Sequence, residues 1–163
     1  MPVFFWLLLV EVLGVITSPF ADVIFHNLAD RGYILAKSLG ILLLTWITWI
    51  LVNVGLTGFS RTAIGVALLL LTGSSALIFW RRREEMLAFW KDKINRRLIW
   101  INEGLFLLFF LVFLFIRYGN PDLWHPIMGG EKPMDFAYLN AVIKSSIFPP
   151  YDPWFAGGYL NYY

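Results

Sequence analysis

The chain has 163 residues, 59% of them hydrophobic and only 15% charged, with a formal net charge of +2. A soluble domain carries roughly 45–50% apolar and about 25% charged residues, so this composition excludes an ordinary water-soluble fold. Cysteine is absent, which excludes disulfides, thiolate metal sites and a cysteine nucleophile.

The apolar excess is concentrated in runs of ~18–20 residues, the length that crosses about 30 Å of hydrocarbon. The first span, Val3–Ala21, has no Lys or Arg before it. It therefore lacks the basic leader of a secretory signal and reads as a retained helix. A short polar link, Asp22–Tyr33, leads to the second span, Ile34–Leu56, which has Lys37 near its start and Trp46 and Trp49 inside. The tight turn Thr57–Arg61 precedes the third, Thr62–Trp80. Its Gly65, Gly73, Ser74 and Ser75 are of the small kind that lets helices approach closely in lipid. The stretch Arg81–Arg97 is the most basic of the chain and reads as a loop before the fourth span, Leu98–Ile116. From Arg117 onward the chain is rich in Pro, Gly, Tyr and Asp, and no further span follows. The expected fold is all-α and polytopic, with four spans within residues 1–117 and a separate segment over 118–163.

Lys and Arg accumulate in cytoplasmic loops. With residues 81–97 in the cytosol, that face holds Arg31, Lys37, Arg81, Arg82, Arg83, Lys91, Lys93, Arg96 and Arg97. The other face holds Arg61, Arg117, Lys132 and Lys144. The expectation is a multi-pass protein of the cell membrane with its N-terminus and residues 118–163 external. The final Leu160-Asn161-Tyr162-Tyr163 carries no turn signal or returning helix, so a C-terminal continuation is expected.

Within the external segment, Pro133 suits the first turn of a helix, where its missing N–H costs nothing. From there to Ser145, Phe136, Leu139, Ala141, Val142 and Ile143 fall largely on one side, the pattern of a short amphipathic helix on the membrane surface. Glu131 and Asp135 sit at its start, where the helix dipole favours negative charge. Asp135 is open to two readings: a first-turn acid without chemistry, or a general base or metal-linked carboxylate at the membrane–water boundary. The following Phe148-Pro149-Pro150-Tyr151-Asp152-Pro153-Trp154-Phe155 is stiffened by proline, and Gly157–Gly158 permit a sharp bend. Its aromatics form either a headgroup belt or the lining of a groove for a sugar or prenyl chain. Asp152 fits a turn or a ligand role equally.

Other ionisable residues have plainer readings. Glu11 lies mid-span, where a bare carboxylate is expensive, so it is expected protonated, bonded to a neighbouring helix, or on a proton or substrate pathway. Glu103 is expected near water or the Arg96–Arg97 pair. Arg117 and Lys132 are able to meet a lipid phosphate, although Arg117 also fits simple snorkelling. The basic stretch fits anionic lipid headgroups and not nucleic acid. His26 and His125 are the only histidines; His125 is able to ligate a metal with Asp122, but a lone histidine reads more simply as an ordinary loop residue. A Gly-rich phosphate loop, a nucleophile elbow and a metalloprotease motif are absent from the sequence.

The block Glu131-Lys132-Pro133-Met134-Asp135-Phe136 through Asn161-Tyr162-Tyr163 resembles the signature of the Chlor_Arch_YYY membrane-protein family, and Asp30–Ile50 resembles its N-terminal signature. That family is grouped with the GT-C glycosyltransferase superfamily. The resemblance implies a polytopic enzyme that takes sugar from a polyprenyl-phosphate donor, with membrane lipid around it. It implies Asp135 as the active-site acid of the first external loop, Glu131 as a weaker second, and the fourth span as the first helix of a GT-C-like fold. Lys132, Asp152, Trp154, Tyr159, Asn161, Tyr162 and Tyr163 would bind substrate. The cofactor stays open, a divalent metal included. Complete GT-C enzymes have many more helices, so these residues alone are expected to be inactive. A transporter or lipid flippase, relying on Glu11 and Glu103, and a non-catalytic scaffold are the alternatives.

Overall fold

The computed structural model describes residues 2–120 and 132–160, which are mostly helical with no strand among them. Four long helices follow in chain order: α1 Pro2–Ile24, α2 Tyr33–Asn53, α3 Arg61–Lys91 and α4 Lys93–Gly119. All four are long and apolar enough to cross a membrane. A shorter α5 spans Lys132–Lys144.

Each boundary has a local cause. Asp30 ends the α1–α2 turn by accepting from the backbone N–H groups of Gly32 and Ile34 at 3.1 and 3.0 Å. Gly32 there takes φ +75°, and a Cβ would lie 2.7 Å from Phe25, so glycine suits both the backbone and the space. Ser60 caps α3 through its hydroxyl, which accepts from Ala63 N–H at 3.3 Å. Pro19 lies inside α1 and has no N–H for the Val15 carbonyl. The Ser18 hydroxyl donates to that carbonyl instead, at 2.9 Å, which keeps it satisfied where water is scarce.

The basic stretch is not a loop. Helix α3 continues through it to Lys91, and α4 starts only two residues later. Arg, Glu, Met, Leu, Ala and Lys are all strong helix formers, so the helix persists until Asp92. That residue ends α3, its N–H donating to Ala88 O, and starts α4, its carboxylate accepting from Ile94 and Asn95 N–H at 2.9 and 3.0 Å.

Helices α1, α2 and α3 pack as a three-helix core, and α4 lies along α2 and α3 with a single buried residue, Ile99. The α1–α2 contact is close because Gly40 faces Leu13 and Gly14 faces Lys37. The Thr17 hydroxyl sits 2.7 Å from Leu13 O and 2.6 Å from Ala36 O, so one proton serves its own helix and its neighbour. On α3, Ala63, Ala67, Leu71 and Ser75 recur every fourth position and are all buried, a single ridge of one helix face. The Ser75 hydroxyl donates to Ile16 O of α1. Gly65 and Gly73, expected to promote close packing, have open space where a Cβ would stand. Ser74 turns back to its own helix. Of those four small residues, only Ser75 lies in the helix interface.

The two ends of the bundle are distinct. At one end the α1–α2 turn meets the start of α4 and the end of α3: Asn102 donates to Asp30 at 2.9 Å, and Tyr33 packs edge-on against Trp90. Asp22, almost fully buried, forms ion pairs with Arg31 at 3.1 Å and Arg82 at 3.0 Å. The Arg82 contact is a charge pairing without a directed hydrogen bond to Oδ2. At the opposite end the α2–α3 loop receives the chain after α5. Phe59 N–H donates to Ser146 O at 2.8 Å, and the Phe59 and Phe148 rings meet at 4.6 Å.

Candidate functional site

The segment after the fourth long helix was expected to carry the chemistry, and its described part has a definite local structure. Helix α5 presents Phe136, Leu139 and Ile143 as an exposed apolar stripe, spaced to share one helix face. Val142, on the flank of that stripe, joins Leu44, Thr45, Thr48, Trp49, Phe59, Ile64 and Phe148 around an apolar cleft of about 300 Å³. Asp135 precedes Val142 by seven residues, so the two share a face. Asp135 is exposed in the first turn of α5, and Lys132 is that helix's first residue and half-buried.

The loop beyond α5 folds on itself. Asp152 N–H donates to Gly158 O at 3.0 Å, and Leu160 N–H donates to Pro150 O at 2.8 Å. Tyr151 and Tyr159 pair across this closure with rings stacked at 4.9 Å and 18°. The hydrogen bond to Tyr151 holds the Tyr159 phenol above its ordinary range, with the Tyr151 charge interaction adding to it. Asp152 Oδ1 accepts from Trp154 N–H at 2.8 Å and Phe155 N–H at 3.3 Å. Its carboxylate thus shapes an Asx turn, the first of the two roles open to it. Trp154 and Tyr159 are exposed. The contacts closing this loop bring Asp152, Trp154 and Tyr159 together and do not involve Asp135. Glu131, Asn161, Tyr162, Tyr163, Asp122 and His125 lie outside the described residues. Among the described residues no group of three or more His, Asp or Glu side chains is arranged to hold a metal ion.

A second polar constellation lies inside the bundle, and sequence reasoning did not assemble it. Lys37 of α2, 9% exposed, reaches Glu11 of α1 at 3.1 Å and Glu103 of α4 at 2.6 Å. Its ammonium also stands 3.9 Å from the Phe106 ring centroid, a cation–π contact strengthened by the dry surroundings. Glu11 is bonded to a neighbouring helix, one of its expected states. Glu103 pairs with Lys37 and not with Arg96–Arg97. Its Oε1 is buried without a directed hydrogen bond. Lys37, Glu103, Tyr33 and Asn102 close one end of a cleft of about 460 Å³ between α2 and α4, lined otherwise by Ile34, Leu105, Phe106, Phe109, Phe110 and Phe113. The available signal was three ionisable residues of complementary sign within spans. An unpaired charge there is too costly to persist.

No curated protein and no solved structure matches the chain. A family model described as "Uncharacterized membrane protein (DUF2298)" matches residues 43–163, which takes in part of α2, all of α3, α4 and α5, and the closed aromatic loop. On that match the chain belongs to the uncharacterized membrane protein family DUF2298.

Proposed function

We propose that this chain supplies the membrane-embedded base and first outer loop of a glycosyltransferase that draws sugar from a polyprenyl-phosphate donor. The observation that carries the reading is the shared face of Asp135 and Val142. It sets an exposed carboxylate on the same side of α5 as an apolar cleft reaching into the α2–α3 end of the bundle. A carboxylate above and a hydrocarbon-lined space below suit an amphiphile with a polar head and an isoprenoid tail. Asp135 acts as general base toward an acceptor hydroxyl or as a metal-linked carboxylate, and Glu131 is the second acid. Lys132 faces the donor phosphate, since ammonium and phosphate pair well. Asp152 contributes by shaping the loop, and Trp154, Tyr159, Asn161, Tyr162 and Tyr163 wall the site. In this reading residues 118–163 are external, and the lysine- and arginine-rich end of the bundle is cytosolic.

The test is transfer of labelled sugar from a polyprenyl-phosphate donor by membranes carrying the protein. Asp135→Asn keeps size and removes charge, so transfer should fall by about 10²–10⁴-fold. Normal transfer by that variant removes Asp135 from the chemistry. Absence of transfer by the unaltered protein from any such donor overturns the enzyme class.

The Glu11–Lys37–Glu103 cluster favours a second reading, movement of a solute or proton through the membrane. Loss of substrate movement on Glu11→Gln, with Asp135→Asn silent, would select it.

A further inference from the structure

Arg81, Arg82 and Arg83 are consecutive on α3, and consecutive residues of an α-helix point about 100° apart. Arg82 points into the bundle, where it meets buried Asp22 at 3.0 Å, and it also holds Glu85 at 2.6 Å. Arg81 and Arg83 therefore splay to either side, away from the bundle. Both are exposed, and neither forms an ion pair among the described residues. Twenty residues separate the start of α3 at Arg61 from Arg81, about 30 Å of helix, which equals the hydrocarbon thickness. The pair is thus carried to headgroup depth. Trp80, 67% exposed, adjoins it and has the amphipathic ring that settles at that depth. A recess of about 460 Å³ on this part of α3 is lined by Trp80, all three arginines, Glu84 and Glu85.

We infer that Arg81 and Arg83, which flank Trp80 on the outward side of α3, form a binding site for an anionic phospholipid headgroup, and that Arg82, although it lines the recess, brings no unanswered charge to it. Guanidinium groups match phosphate oxygens in geometry as well as charge, and the Trp80 indole lies against the upper acyl chain. Arg82 has its charge answered by Asp22 and Glu85, so it serves the packing of α3 against α1 and adds no free charge for lipid. Glu84 is exposed nearby and opposes the site by one charge. That opposition makes the preference depend on both arginines. The inference does not rest on the proposed sugar transfer.

The experiment is native mass spectrometry of the whole chain released from nanodiscs with equal phosphatidylglycerol and phosphatidylcholine. The unaltered protein should retain phosphatidylglycerol preferentially, and the preference should weaken roughly fivefold for each arginine neutralised at Arg81 and Arg83. Arg82→Gln should keep the lipid preference while lowering the thermal midpoint. Circular dichroism confirms that each variant is helical before lipid is counted. Unchanged preference in the Arg81→Gln/Arg83→Gln variant overturns the site. So does an equal loss on Lys91→Gln/Lys93→Gln, which would mean diffuse charge. Displacement of the lipid by millimolar inorganic phosphate also overturns it, since the site would then take a free anion.

Discussion

Lys37 and Glu103 stand 66 residues apart in the chain and meet at 2.6 Å, which fastens the otherwise little-buried α4 to the three-helix core. The same ammonium reaches Glu11 at 3.1 Å, so one cation serves carboxylates from two other helices. In a low-dielectric interior, removing one partner of such a set costs more than the set contributes, because the remaining charge is stranded.

Lys37→Met should therefore destabilise the protein by about 3–5 kcal/mol, the cost of breaking a buried pair. Adding Glu103→Gln to it should recover part of the loss, since one stranded charge is then removed. Thermal unfolding in detergent, followed by circular dichroism, measures both. A Lys37→Met protein as stable as the original would mean that water or lipid headgroups already neutralise the cluster.

Gly40 and Gly73 offer a matched pair. A Cβ on Gly40 would stand 3.0 Å from both the side chain and the backbone oxygen of Leu13, whereas one on Gly73 meets nothing within 4 Å. Gly40→Ala should cost about 1–3 kcal/mol by forcing α1 and α2 apart. Gly73→Ala should be neutral or stabilising by up to about 1 kcal/mol, as glycine is a poor helix former. The two thermal midpoints should move in opposite directions or differ by several degrees.

Phe59 anchors the chain after α5 to the α2–α3 loop: its N–H and its ring both hold it. Phe59→Ala removes the ring contact and leaves the backbone bond in place. Limited proteolysis between α4 and the aromatic loop should quicken several-fold while helix content is unchanged. If Asp135 acts as proposed, sugar transfer should fall in the same variant.

The Tyr151–Tyr159 pair gives a pH signature. Tyr159 titrates above the ordinary 10.0 because its bond to Tyr151 favours the protonated phenol. A group raised in this way contributes stability that is fully present below its unfolded-state value and is lost as pH rises through the folded-state value. Ultraviolet titration should show one phenol ionising late, and Tyr151→Phe should return it toward 10.0. The closed loop should loosen only at strongly alkaline pH.

The helices were legible because each rests on local causes: apolar runs of membrane-spanning length, Ser60 and Asp92 as caps, and proline at the first turn of α5. The α3–α4 connection is not legible in the sequence, because a run of charge reads as a loop. Charged residues with high helix propensity do not end a helix, and only Asp92 supplies a reason to stop. The sequence allows Asp152 two roles because an Asx turn depends on backbone geometry that residue types permit but do not impose. The small residues of α3 were recognised, but not which of its faces would be covered. That choice depends on Ile16 O of α1, the acceptor for Ser75.

Composition and periodicity determined by themselves that this chain lives in a membrane as long helices, because burying that much apolar surface requires satisfied backbone bonds within each segment. Pairing belongs to tertiary structure. Lys37 joined Glu103 instead of leaving it to the nearer Arg96–Arg97, and Arg82 alone of its triplet turned inward to Asp22. These outcomes follow from helix rotation and relative depth. A linear pattern carries neither, since each is settled only when several helices compete for one another's faces.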